Sequence, residues 1–251
     1  ASQRHLASSR ADMEQAMERL SSGKRINSAM DDAAGLSISH SLDAKIAGLN
    51  QAVRNANDGI AMINLAEGAM EEVSIMLTRM KELSIQAASE TYAAGNQTHL
   101  DAEYLALATE IGRIYTTTDF NGVSVMAAGT VDVAVEDDAS AITVTFTTPS
   151  AASAATLAGD ASAGSALVDA AITEIDTQRA ALGAVANRLE HTAANLMSRV
   201  EHQSAARSRI EDADYAVESA NLAKAQVLQQ AGTAMLSQAN ASTQNVLSLL
   251  K

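Results

Sequence analysis

Cysteine and tryptophan are absent from the 251 residues, and proline occurs once, at Pro149. Without cysteine there is neither a disulfide nor a thiolate metal site, and redox compartment cannot be read from cysteine usage. With one proline, nearly the whole chain is free to be helical. Aromatics are scarce as well, at 4 Tyr and 2 Phe. Compact enzyme cores lean on aromatics for buried area, so this composition favours long helices packed through Ala, Leu, Ile, Val and Met. Positive charge is short: 17 Lys and Arg stand against 30 Asp and Glu, a net charge of -13. That balance argues against nonspecific nucleic-acid binding, which needs cations to neutralise phosphates. No apolar run reaches the roughly 18 residues that a bilayer span needs, so membrane insertion is not expected. The opening ASQRHLASSR lacks the apolar stretch of a Sec-type signal peptide. The chain is therefore expected to be cytoplasmic or to leave by a route that uses no such signal.

What is present is long-range apolar periodicity. Leu6, Met13 and Leu20 recur at seven-residue steps, as do Ile46, Val53 and Ile60. A second row runs Leu49, Ala56, Ile63, Met70 and Leu77, and a third runs Val73, Met80 and Ala87. The handover between rows is the drift of a helix of about 3.6 residues per turn against a seven-residue repeat. Toward the C terminus the row is Val168, Ile175, Leu182, Leu189, Leu196, Gln203, Ile210 and Val217, with Leu228 and Met235 beyond it. Such stripes first suggest intramolecular core, and near both termini they also suit packing between subunits. The tail 220–251 is apolar on more than one face, so it should be buried on several sides or order only with a partner.

Between these territories the period changes. Val131, Val133 and Val135 alternate, then Ile142, Val144 and Phe146, around the polar turn EDDAS. This predicts a two-stranded hairpin leaning on the helices, with a further turn at Asn121-Gly122. PSAASAATLAGDASAG (149–164) reads as a low-complexity loop.

Side chains for chemistry are not assembled in any recognisable pattern. His5, His40, His99, His191 and His202 are scattered, with no HExxH and no i, i+4 pair, and GxSxG does not occur. Glu71-Glu72, Asp137-Asp138 and Glu211-Asp212 read as solvated surface carboxylates, and DDAS lacks the ligand alternation of a calcium loop. The stretch RLSSGKRINSAMDDAAG (19–35) contains a Gly-Lys pair, but Arg25 occupies the Ser/Thr place of a phosphate loop and no strand precedes it. It reads as a bend in which Ser-Ser-Gly ends one helix at Gly23, and Asn27-Ser28 with Asp31-Asp32 begin the next. No enzyme, cofactor or metal site is expected.

Four segments carry a resemblance. ERLSSGKRINSAMDDAAGLSIS (18–39) closely resembles the N-terminal signature of bacterial flagellin, and RIEDADYAVESANLAKAQVLQQAGTAMLSQANASTQNVLSLL (209–250) resembles its C-terminal signature. NDGIAMINLAEGAMEEVSIMLTRMKELSIQAAS (57–89) and TTDFNGVSV (117–125) match stretches between them. The resemblance covers about 1–127 and 168–251, and because family members normally start upstream of Ala1 it implies preceding residues.

It implies a mostly α fold: a long antiparallel helical coiled-coil hairpin with both termini paired, plus a small β-hairpin and loop insertion. By family analogy 1–33 and 212–251 form an inner coiled-coil layer, 34–118 and 166–211 an outer helical bundle, and 119–165 a short variable insertion. The implied function is a structural filament subunit for motility, self-assembling into a hollow helical tube. A hook–filament junction protein and a soluble coiled-coil adaptor are the alternatives. Leu6, Met13, Leu20, Leu228 and Met235 would pack the terminal coiled coil. Gly23, Lys24, Arg25, Asn27, Asp31 and Asp32 would form the spoke between layers, with Lys24 and Arg25 as charges between neighbouring subunits. Implied partners are further copies of the chain, the flagellar cap, hook-junction proteins and a cytoplasmic export chaperone. The implied destination is the extracellular filament, reached through the flagellar type III channel. Arg79, Leu83 and Glu103 match positions that contact a flagellin-sensing Toll-like receptor and neighbouring subunits; Leu107 stands where the family often has Arg.

Overall fold

The computed structural model describes residues 2–89, 94–136, 138–148 and 161–249, by backbone alone at 2, 3, 94, 161–163 and 239–249. The elements are α1 (Ser2–Ser22), α2 (Ala33–Ala87), α3 (Ala94–Thr117), β1 (Asp119–Phe120), β2 (Val123–Ser124), β3 (Gly129–Ala134), β4 (Ala141–Phe146), α4 (Ala161–Glu211) and α5 (Tyr215–Leu249). The fold is mostly α with a small β insertion, as composition and periodicity lead one to expect. Two compact units divide it: 1–47 with 200–251, and 48–199.

In the first unit α1 and α5 run antiparallel, with Arg19 beside Glu218 and Leu6 opposite Gly232. The face α1 offers is Leu6, Ser9, Met13, Ala16 and Leu20, two interleaved seven-residue rows of which Ser9 and Ala16 are buried and the large residues half-buried. The facing rows of α5 are Glu218, Ala225 and Gly232, and Leu222, Gln229 and Leu236. Leu6, Met13 and Leu20 lie on the face of α1 turned to α5, whereas Leu228 and Met235 lie beside the facing rows of α5. They are 49% and 67% exposed, and Val217 with them is 53% exposed. Small residues let the two backbones approach, since a Cβ on Gly232 would stand 3.2 Å from Leu6 Cδ1. The row of large apolar residues therefore flanks the intramolecular seam, with Leu228 lining the groove beside Ala16 and Arg19. Nor does it continue the Ile210 row, because the helix breaks between Glu211 and Tyr215.

In the second unit the predicted rows are the core. Ala56, Ile63, Met70, Leu77, Val73, Met80 and Ala87 of α2 share one buried cluster with Val168, Ile175, Leu182 and Leu189 of α4, and Leu196 is buried as well. Each fully buried Leu, Ile or Met contributes about 1.5–3 kcal/mol. The helices are antiparallel, with ion pairs from Arg179 to Glu67 and from Lys81 to Asp169. α3 adds Tyr104, Ile111 and Tyr115 to the same core.

The β segments form two hairpins. β1 and β2 turn through Asn121 (φ 53°) and Gly122 (φ 81°), the left-handed pair that a two-residue hairpin loop favours. In the larger hairpin Val131 lies opposite Val144 and Val133 opposite Ile142, and Val133, Val135, Ile142, Val144 and Phe146 are buried. It leans on α2 at Gly59, where a Cβ would come within 3.0 Å of Val133 Cγ2, and Asn55 Nδ2 donates to Ala134 O at 3.0 Å. Residues 149–160 of the low-complexity loop, and Asp137 of the hairpin turn, lie outside the described residues, whereas 161–164 are the first turn of α4.

Candidate assembly site at the joint of the terminal helices

The residues singled out in the 19–35 stretch come together in one structure within the first unit. α1 ends because Gly23 adopts φ 72°, a conformation that side-chain-bearing residues resist, and its N–H donates to Arg19 O at 2.9 Å. The chain then runs briefly antiparallel to the break between α4 and α5. Arg25 N donates to Glu211 O at 2.6 Å and Ala213 N donates to Gly23 O at 2.9 Å. A two-rung ladder thus fastens the exit of α1 to the exit of α4.

Side chains lock the ladder. Glu211, 6% exposed, takes an ion pair from Lys24 Nζ and a hydrogen bond from Ser39 Oγ at 2.5 Å. Lys24 first and Ser39 second hold its carboxyl below the usual carboxylate range. Arg25 Nη2 donates to Ile210 O at 2.6 Å, which satisfies a carbonyl near the α4 terminus. Arg207 pairs with Asp43, and Arg19 Nη1 donates to Glu218 Oε1 at 3.0 Å. Lys24 and Arg25 therefore both have partners inside the chain.

Asp31 and Asp32 are adjacent but do different work. Asp32 caps α2: its Oδ1 accepts from Gly35 N at 2.9 Å. Asp31 closes the turn before it, with Oδ2 accepting from Asn27 N at 3.1 Å, Ser28 N at 2.9 Å and Ser28 Oγ at 3.1 Å. The backbone N–H groups of Ser28 and Asn27 are the main cause of its lowered pKa. Of the four residues expected to begin the helix, Asp32 is the cap itself, while Asn27 and Ser28 are spent on the turn that Asp31 closes. Beneath it Ile26, 3% exposed, packs on Gly35, where a Cβ would meet Ile26 Cδ1 at 2.6 Å. Met30 stands at the tip, 96% exposed.

Several joint residues escape sequence reading. The Glu211-Asp212 pair reads as two solvated carboxylates, yet only Asp212 is exposed, accepting from Ser208 Oγ. Asp214 caps α5 by accepting from Ala216 N at 2.9 Å, and an Asp just before an apolar helical run was the available signal. Ile26, Ser39 and the Arg19–Glu218 contact carried no signal beyond ordinary composition.

The receptor-like trio lies in the second unit and splits. Arg79 Nε donates to Glu103 Oε1 at 2.9 Å and its Nη1 to Glu82 Oε2 at 2.8 Å, all at the surface. Leu83 is 0% exposed and belongs to the core of α2, so its assignment as a surface contact is corrected. Among the described residues no cluster of His, Asp and Glu could hold a metal ion, and no helix is long and apolar enough to cross a membrane.

Comparison with known proteins gives one consistent result. Residues 1–130 match the family described as the bacterial flagellin N-terminal helical region, and residues 165–250 match the bacterial flagellin C-terminal helical region. A flagellin of Halalkalibacterium halodurans is 43% identical over 249 residues, covering 95% of this chain and 92% of that protein. Flagellin FlaB2 of Treponema pallidum is 38% identical over 275 residues, covering 100% and 96%. The crystal structure of Bacillus cereus flagellin superposes with a TM-score of 0.53 at 28% identity, covering 61% of this chain and 94% of that one.

Proposed function

The chain belongs to the bacterial flagellin family, and from that premise we propose that the joint between its terminal helices is the mechanical element of filament assembly. The protein itself is a structural subunit of the flagellar filament, an extracellular homo-oligomer, and not an enzyme. Neither the junction-protein reading nor the adaptor reading is favoured by any feature. In the proposed division 1–33 and 212–251 make the inner layer, 34–118 and 166–211 the outer bundle, and 119–165 the insertion. Gly23, Asn27, Asp31 and Asp32 fix the angle at which the chain leaves α1. Lys24 and Arg25 hold that angle through Glu211 and Ile210 and make charge contacts to neighbouring subunits.

The observation that carries this reading is the unpartnered face of α5. Val217, Leu228 and Met235, on the flank of the seam, stay exposed after α1 has packed on α5, and Leu228 lines the groove beside Ala16 and Arg19. A helix with two apolar faces needs a second neighbour, and in a filament that neighbour is another copy. The same two-faced helix suits capture by an export chaperone before assembly, passage through the type III channel, and then addition under the cap next to the hook-junction proteins. Arg79 and Glu103 form the surface assigned to a flagellin-sensing Toll-like receptor.

The test exploits charge. Subunits of net charge -13 repel until salt shortens the screening length, to about 10 Å at 0.1 M. Purified monomer should polymerise into long tubes, seen by negative-stain electron microscopy, when salt is raised. Leu228→Glu with Met235→Glu should stay monomeric while retaining its helicity. Wild-type chain that stays monomeric on seeding under every salt condition would overturn the reading.

A further inference from the structure

Two outward helix faces of the second unit complement each other in charge and shape. On α2, Leu65, Gly68, Glu72 and Ile75 follow the three- and four-residue steps of a coiled-coil seam, yet all four are exposed. Leu65 is 40% and Ile75 58% exposed, and nothing lies within 4 Å of where a Gly68 Cβ would be. Glu71 flanks the seam, and neither Glu71 nor Glu72 has a cation partner among the described residues. The seam is thus an apolar, acidic track with a bare backbone at its centre, and such a gap admits a side chain from a neighbouring helix.

On α4 the opposite sign is concentrated. Arg188, His191, Asn195 and Arg199 follow one face at i, i+3, i+7 and i+11, beside a groove of about 450 Å³. In a chain with almost twice as many acids as bases, this groove has Glu136 as its one acidic lining residue, and Arg199 already engages it at 3.4 Å. Arg188 makes no hydrogen bond or ion pair among the described residues. The lengths agree: ten residues separate the ends of the α2 seam and eleven the ends of the α4 stripe, about 15 Å and 16 Å of helix at 1.5 Å per residue.

We propose that the acidic seam of α2 docks against the basic stripe of α4 on a second copy of the chain. The contact is heterologous, one face meeting a different face, so it repeats from copy to copy without closing on itself and builds an open helical array. It also resolves part of the repulsion set by the net charge, since each contact places two carboxylates against a guanidinium and an imidazole. The inference rests on the filament reading and specifies one of the surfaces that reading requires.

Two charge-reversed chains test it. One carries Arg188→Glu and His191→Glu, the other Glu71→Lys and Glu72→Lys; all four sites are exposed, so circular dichroism should match wild type. Each alone should need a critical concentration for polymerisation at least about tenfold above wild type, because like charges then face each other. Mixed one to one they should assemble near the wild-type concentration, since each restores the partner's complement. A reversed chain that polymerises like wild type overturns the proposal. So does a mixture that fails where both single chains fail, which would assign the acidic seam another occupant. Wild-type chain that forms no tubes overturns instead the filament reading beneath it.

Discussion

Gly35→Ala should destabilise the joint, against the direction helix propensity gives. Gly35 lies in the first turn of α2, where alanine ordinarily gains about 1 kcal/mol over glycine. Here its Cβ would stand 2.5 Å from Asp32 Oδ2 and 2.6 Å from Ile26 Cδ1, well inside the separation of about 3.5–4.0 Å at which carbon atoms rest. Asp32 can retreat only by loosening the 2.9 Å bond that caps the helix, and losing a cap costs about 0.5–2 kcal/mol. Ile26 is 3% exposed, so overpacking adds about 1–3 kcal/mol. Against the gain in propensity, the net loss is about 0.5–4 kcal/mol. Amide exchange reads this locally. Arg25 and Ala213, whose N–H groups form the two rungs of the ladder, should exchange about tenfold faster or more in the variant monomer. Adding Ile26→Ala should recover part of the loss, a non-additivity above about 0.5 kcal/mol. Slower exchange at both amides, or a higher urea midpoint than wild type, would refute the packing argument.

Acid should open the same joint. Glu211 and Asp31 both have carboxyl pKa values lowered in the folded chain, so their stabilisation is complete above the ordinary carboxylate range and is lost as pH falls through the folded values. Wild-type Ala213 exchange, corrected for intrinsic rate, should accelerate below about pH 4, and Glu211→Gln should flatten that dependence. Leu83→Ala should cost about 2–5 kcal/mol in denaturant unfolding, because Leu83 is 0% exposed, whereas Ile85→Ala at 60% exposure should cost under about 0.5 kcal/mol. Ala139 is held at φ 63° in the hairpin turn, so Ala139→Gly should raise the thermal midpoint, by relief of about 1 kcal/mol of left-handed strain.

The joint shows what a sequence can and cannot carry. Glycine at 23 and carboxylates at 31–32 are legible because their effects are local: a positive φ and a cap act within a few residues. Which carboxylate caps and which closes a turn depends on where Asn27 and Ser28 point their N–H groups, and adjacent identical residues carry no signal for that. Glu211 depends on more distant partners, since Lys24 and Ser39 lie 187 and 172 residues away. A buried carboxylate with such partners looks, in the sequence, like any acid on a helix surface. The second unit was far more legible, because its rows of Ile, Leu, Met and Val mark the core directly through the seven-residue repeat.

Leu228 and Met235 are exposed for the opposite reason, and that exposure has functional content. Periodicity marks faces, and it marks them by their largest apolar residues. In α1 one face is apolar and the other charged, so Leu6, Met13 and Leu20 share the face turned to α5. In α5 the intramolecular seam is built from Glu218, Ala225 and Gly232 with Leu222 and Leu236, and its small members are what allow the helices to approach. The stronger apolar signal therefore belongs to the flank of the seam, which α1 covers only in part. A monomeric protein would gain by making that face polar, since exposed Val217, Leu228 and Met235 add nothing to its folding and promote association. Their presence follows if association is the function. The row that misleads as a guide to the folded chain then marks where the next copy binds.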